Sequence, residues 1–147
     1  MRLWFLAAAV LFAHAVGCGG GPKFAPVSGV VTLNGKPYGK AAVSFQPIGS
    51  TENPNPGRGS AAYTDENGRF VLMSDDHRGA VAGKHLVRIT TRSEAMAGEP
   101  GLGSPDNAPA KRPVEPIPLE WNWQSEKQFE VPPGGTDKAN FDIVTKK

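Results

Sequence analysis

Gly83-Lys84-His85-Leu86-Val87-Arg88-Ile89-Thr90-Thr91-Arg92 is the stretch that decides the fold class. Side chains alternate across an extended chain, so His85, Val87, Ile89 and Thr91 share one face and Lys84, Leu86, Arg88 and Thr90 the other. The first set is the expected inward face. The same period appears on both sides of this run. Val27, Gly29, Val31 and Leu33 line one face of a strand, opposite Ser28, Val30 and Thr32, and Ala41, Val43 and Phe45 alternate after them. Ala61 to Thr64 and Arg69 to Met73 read as short strands. Lys127 to Val131 and Asn140 to Val144 follow, with Phe129 and Val131 paired on one face, and Phe141 and Ile143 on another. No segment has a convincing helical period. About seven short strands with turn signals between them are the pattern of an all-β fold, a single antiparallel sandwich.

The connections carry their own chemistry. Asn34-Gly35 is a turn signal, because both residues tolerate positive φ. Lys36 to Lys40 is too long for a tight hairpin, which leaves open whether the strands on either side of it adjoin. Asn53-Pro54 and Asn55-Pro56 make residues 48–58 an exposed loop. In Asp65-Glu66-Asn67-Gly68 the carboxylate can bond the backbone two residues on, and Gly68 supplies a left-handed position. Asp75 to Gly79 is a second polar connection. Prolines at 100, 105, 109, 113, 116 and 118 predict a long mobile loop over 93–118. Pro132 to Asp137 reads as a hairpin loop joining the last two strands.

The first seventeen residues point to a compartment. Arg2 precedes an apolar run from Leu3 to Val16, broken only by His14, and small residues then lead to Cys18. This is the layout of a secretory signal. The run falls short of the ~20 apolar residues that a spanning helix needs. Ala15-Val16-Gly17-Cys18 resembles the bacterial lipobox, with alanine where leucine is usual. That resemblance implies cleavage between Gly17 and Cys18, and acylation of Cys18 on its sulfur and its new amine, palmitate being a typical chain. The expected organisation is a signal at 1–17, a lipidated cysteine and tether at 18–26, and a sandwich domain at 27–147. The expected location is the cell envelope, on the periplasmic or surface side of a bacterial membrane.

Composition agrees with this layout. Cys18 is the only cysteine among 147 residues, so the chain cannot form an intramolecular disulfide. The fold must stand on its core. With 18 Gly and 14 Pro, turns and short elements are favoured over helices. The 16 basic and 14 acidic residues are interspersed without runs, so nothing marks a nucleic-acid partner.

Taken together, Gly29-x-Val31-x-Leu33-Asn34-Gly35-Lys36-Pro37-x-x-x-Ala41-x-Val43-x-Phe45 and Thr64-Asp65-Glu66-Asn67-Gly68-Arg69-Phe70 resemble the carboxypeptidase regulatory-like domain, a transthyretin-like (prealbumin-like) β-sandwich. The resemblance spans roughly residues 27–92 and, more loosely, the last two strands. The family's Pro-Gly-x-Tyr is replaced here by Ala82-Gly83-Lys84-His85. It implies a non-catalytic module: an accessory domain, a spacer, or a binder of a protein or glycan.

The residues offer little to reaction chemistry. The G-x-S-x-G elbow, H-E-x-x-H and paired cysteines are all missing from the sequence. The resemblance also admits a hydroxyisourate hydrolase, but the terminal Val144-Thr145-Lys146-Lys147 does not match that enzyme's tetrapeptide. No catalytic residue, metal or cofactor is therefore expected. The alternatives are a hydrolase that depends on His77 or His85, and an accessory subunit of a larger envelope complex. His85 reads as an imidazole packed at a sheet end. Asp65, Glu66, Asn67, Asp75 and Asp76 read as turn residues rather than a calcium site. The candidate recognition surface is Trp121 and Trp123 in Pro116-Ile117-Pro118-Leu119-Glu120-Trp121-Asn122-Trp123. If this segment is extended, Leu119, Trp121 and Trp123 face one way as a platform for a sugar ring or an apolar partner. The competing reading is that they cover an open end of the sandwich.

Overall fold

A computed structural model of the chain describes residues 22–92 and 115–145. The predicted signal, the Gly17–Cys18 junction and residues 93–114 of the predicted loop lie outside the described residues. Twelve short strands occur among those described: β1 (Phe24–Ala25), β2 (Ser28–Leu33), β3 (Lys36–Pro37), β4 (Ala41–Pro47), β5 (Ser60–Tyr63), β6 (Arg69–Val71), β7 (Met73–Ser74), β8 (His77–Arg78), β9 (Ala80–Val81), β10 (Gly83–Thr91), β11 (Gln128–Val131) and β12 (Phe141–Ile143). Leu119–Trp121 forms a single 3-10 turn. The chain is an all-β sandwich. One sheet has six strands in the order β11-β10-β4-β5-β7-β8. In the other, β2 is central, with β12 along one edge and β3 and β6 along the opposite edge.

Between β6 and β7 the chain passes from one sheet to the other. Leu72 is the corner residue, fully buried, its N–H donating to the Val27 carbonyl and its carbonyl accepting from Gly79. The expected inward faces are the observed ones. His85, Val87 and Ile89 are buried on β10, Val43 and Phe45 on β4, Val31 on β2, and Phe141 and Ile143 on β12. The Phe141 ring lies 6.1 Å from Phe45, 6.0 Å from Phe129 and 6.2 Å from Phe70. Aromatic side chains of both sheets therefore close on one ring.

Four expectations need correction or completion. Pro132–Asp137 is not a hairpin loop, since β11 pairs with β10 in the large sheet and β12 with β2 in the small one. The segment crosses between sheets and enters the second beside the start of β2, with Thr136 bridging Val27, so β12 runs parallel to β2. Order begins before residue 27: Phe24–Ala25 pairs with Ala80–Val81, and Ala25 is buried. The predicted loop ends before 115, because the Glu115 carboxylate accepts from the Thr91 N–H and hydroxyl and Ile117 is buried. The question left by Lys36–Lys40 is answered by β3, which pairs back on β2 through the Asn34-Gly35 turn while β4 joins the other sheet.

The motif residues have local reasons. Asp65 Oδ1 accepts from the N–H groups of Asn67 and Arg69, and Gly68 has φ +72°. Gly29 has a different reason. A Cβ there would lie 1.9 Å from the Ala139 carbonyl oxygen, so only glycine lets that chain pass.

Candidate recognition surface

The two tryptophans do not form one platform. The segment is not extended: Trp121 N–H donates to the Pro118 carbonyl, and Asn122 N–H to that of Leu119. Asn122 is fully buried, its side-chain amide donating to the Ile117 carbonyl at 3.0 Å. This bend separates the indoles. Trp121 packs against Phe141 in an edge geometry at 6.1 Å, and the Lys127 ammonium lies over its ring, 4.8 Å from the centroid. Trp123 projects outward and is 78% exposed, and Leu119 is exposed as well. For Trp121 and Ile117 the covering role holds; of the predicted pair, only Trp123 offers a free face. A buried asparagine and the flanking prolines impose a turn here that no two-residue period registers.

The histidines are not brought together. His77 sits on β8, its ring stacked on Phe24 at 4.5 Å. His85 sits on β10, which is four inter-strand steps away in the same sheet, or about 19 Å at ~4.8 Å per step. His85 Nδ1 faces the Gly83 carbonyl at 3.0 Å, and its buried Nε2 has no partner. Burial holds its pKa below the usual 6.5. Among the described residues no group of three His, Cys, Asp or Glu side chains is close enough to hold a metal ion. Three carboxylates have structural partners: Asp65 in its turn, Asp75 with Arg58, and Glu115 on Thr91.

A feature missed in the sequence lies on the outer face of the six-stranded sheet. Cross-strand register puts Ala42 beside Tyr63 and Thr90, and Ser44 beside Ala61 and Arg88, with Met73 next to Ala61. Small side chains form the floor. Tyr63, Val71 and Met73 are exposed and stand around it, enclosing an open trough of about 560 Å³. The Arg92 guanidinium covers one face of Tyr63 at 4.5 Å. The usable signal was the outward set of β4 and β5, where Ala42, Ser44 and Ala61 replace the long polar residues usual on a solvated face. No protein-family model, no curated protein and no solved structure matches the chain.

Proposed function

We propose that the protein is a lipid-anchored, non-catalytic module of the bacterial envelope, held by acylated Cys18, that recognises a protein or glycan partner through its sheet face. The observation that carries this reading is the trough over Ala42, Ser44 and Ala61, walled by exposed Tyr63, Val71 and Met73. Exposed apolar walls around a small-residue floor suit contact with another surface. The titratable side chains support the same reading, since those with assigned partners hold turns and strand ends. The likeness of the Gly29–Phe45 and Thr64–Phe70 motifs to the carboxypeptidase regulatory-like domain adds to it.

The test is cross-linking in the native envelope, with the wild type compared with Ala61→Arg and Trp123→Ala. Ala61→Arg fills the trough without touching the core and is expected to abolish a stoichiometric cross-link. Trp123→Ala should leave it intact. A cross-link that survives Ala61→Arg and disappears with Trp123→Ala moves recognition to the Leu119–Trp123 turn. No cross-link with any variant favours a purely structural module.

A further inference from the structure

We infer that the end of the sandwich bearing Lys23, Ile48 and Lys84 is seated on the bilayer, against zwitterionic phospholipid headgroups, so that the opposite end is presented outward. The inference rests on the proposed acylation of Cys18, and it adds an orientation which that reading alone does not contain. The chain is already bound into the fold at its first described residues: the Lys23 carbonyl accepts from the Ala82 N–H at 3.0 Å, and Phe24–Ala25 pairs with Ala80–Val81. From Cys18 to Pro22 there are four peptide steps, which reach at most about 14 Å when fully extended. A thioether at headgroup depth therefore keeps the Pro22 end of the domain within that distance of the lipid.

The surface at that end suits the position. Ile48 N–H donates to the Lys84 carbonyl at 2.8 Å, which draws the loop after β4 to the start of β10, beside Ala82 and Lys23. Ile48, Lys23 and Lys84 are all exposed. Glu52 lies on the same loop, and Glu130 stands opposite Lys84 in the register. Both signs of charge around an exposed isoleucine match a headgroup that carries phosphate and ammonium, rather than a purely anionic surface. Ile48, Ser50, Asn53, Ala82 and Lys84 also border an open concavity of about 450 Å³. The Asn34-Gly35 turn and Lys36 belong to the other end: β4 and β10 pair from Pro47–His85 to Ala41–Thr91, and Arg92 N–H donates to the Lys40 carbonyl, so residues 36–40 adjoin the end of the large sheet opposite Ile48 and Lys84.

The test uses the full lipidated protein in vesicles of phosphatidylethanolamine and phosphatidylcholine. An environment-sensitive fluorophore is placed on Ile48→Cys, on Thr51→Cys in the same loop, and on Lys36→Cys at the far end. Acylation blocks the Cys18 thiol, so only the introduced thiol reacts. Lipids with a nitroxide headgroup should quench the labels at 48 and 51 several-fold more than the label at 36, with little change in high salt. Equal quenching, or stronger quenching at 36, on protein that floats with the vesicles overturns the orientation and leaves the anchor standing. Mature protein without fatty acid by mass spectrometry, or protein that does not float, overturns both.

Discussion

His85 and Gly29 show what single side chains do in this fold. The Gly83 carbonyl at His85 Nδ1 requires the proton to be on that nitrogen, so Nε2 is a buried acceptor without a donor. Desolvation lowers the folded pKa below 6.5, opposed in part by the Gly83 bond. The unfolded chain then binds the proton more readily. His85 thus contributes stability above pH 6.5 that is lost as the pH falls through the folded value. Melting temperature should drop between pH 7 and pH 5, and His85→Leu should flatten that part of the profile; identical profiles for both proteins would contradict it. At Gly29 the constraint is steric. Gly29→Ala sets a methyl group against the Ala139 carbonyl and should cost about 2 kcal/mol in urea unfolding, as overpacked sites do. An unchanged midpoint would show that the β2–β12 seam yields.

Among the elements, β10 is paired by a strand along only part of one side. β11 pairs with it only from Gly83 to Leu86, and the remainder of that side is closed by other groups. Val87 N–H donates to the Lys127 carbonyl, the Ser125 hydroxyl donates to the Val87 carbonyl at 2.6 Å, and Glu115 receives the Thr91 amide at 2.9 Å. Such covering prevents an open strand from pairing with another chain. Glu115→Ala should destabilise the domain by about 1 kcal/mol and speed hydrogen exchange at Thr91 while Val87 stays protected. Equal loss at both amides would mean that the covering segment acts as one unit. This edge also marks how far the sequence could be read. Alternation identified which side of β10 faces inward, because the period follows from strand geometry alone. It did not identify neighbours: β11 and β12 read as a hairpin, yet they fall in different sheets, since partner choice depends on contacts distant in sequence. The pairs β1–β9 and β7–β8 are two residues per strand, too short for any period to register.

On the scale of the whole molecule, Phe141 is where the layers meet. Its ring contacts Phe45 and Phe129 from the large sheet, Phe70 from the small sheet, and Trp121 from the covering turn. The apolar positions of Phe45, Phe129 and Phe141 were legible, since each stands on the apolar face of an alternating strand, whereas the burial of Phe70 came from the structure. Their convergence on one ring was not legible, and neither was the recruitment of Trp121, which depends on the bend at buried Asn122. That convergence makes the fold cooperative. If one ring ties both sheets and the cover, none of the three can separate without exposing the others, and a two-state transition results. Phe141→Ala should therefore destabilise by about 3–5 kcal/mol, the range for a large buried aromatic residue, and Phe141→Leu by clearly less. In a Trp123→Phe background that lacks residues 1–17 and with them Trp4, Trp121 fluorescence and far-ultraviolet circular dichroism should give one urea midpoint. For Phe141→Ala, fluorescence loss ahead of the dichroism change would show that the ring had been holding the cover onto sheets able to stand without it. Coincident midpoints at lower urea would show that cover and sheets remain one cooperative body even with the central ring removed.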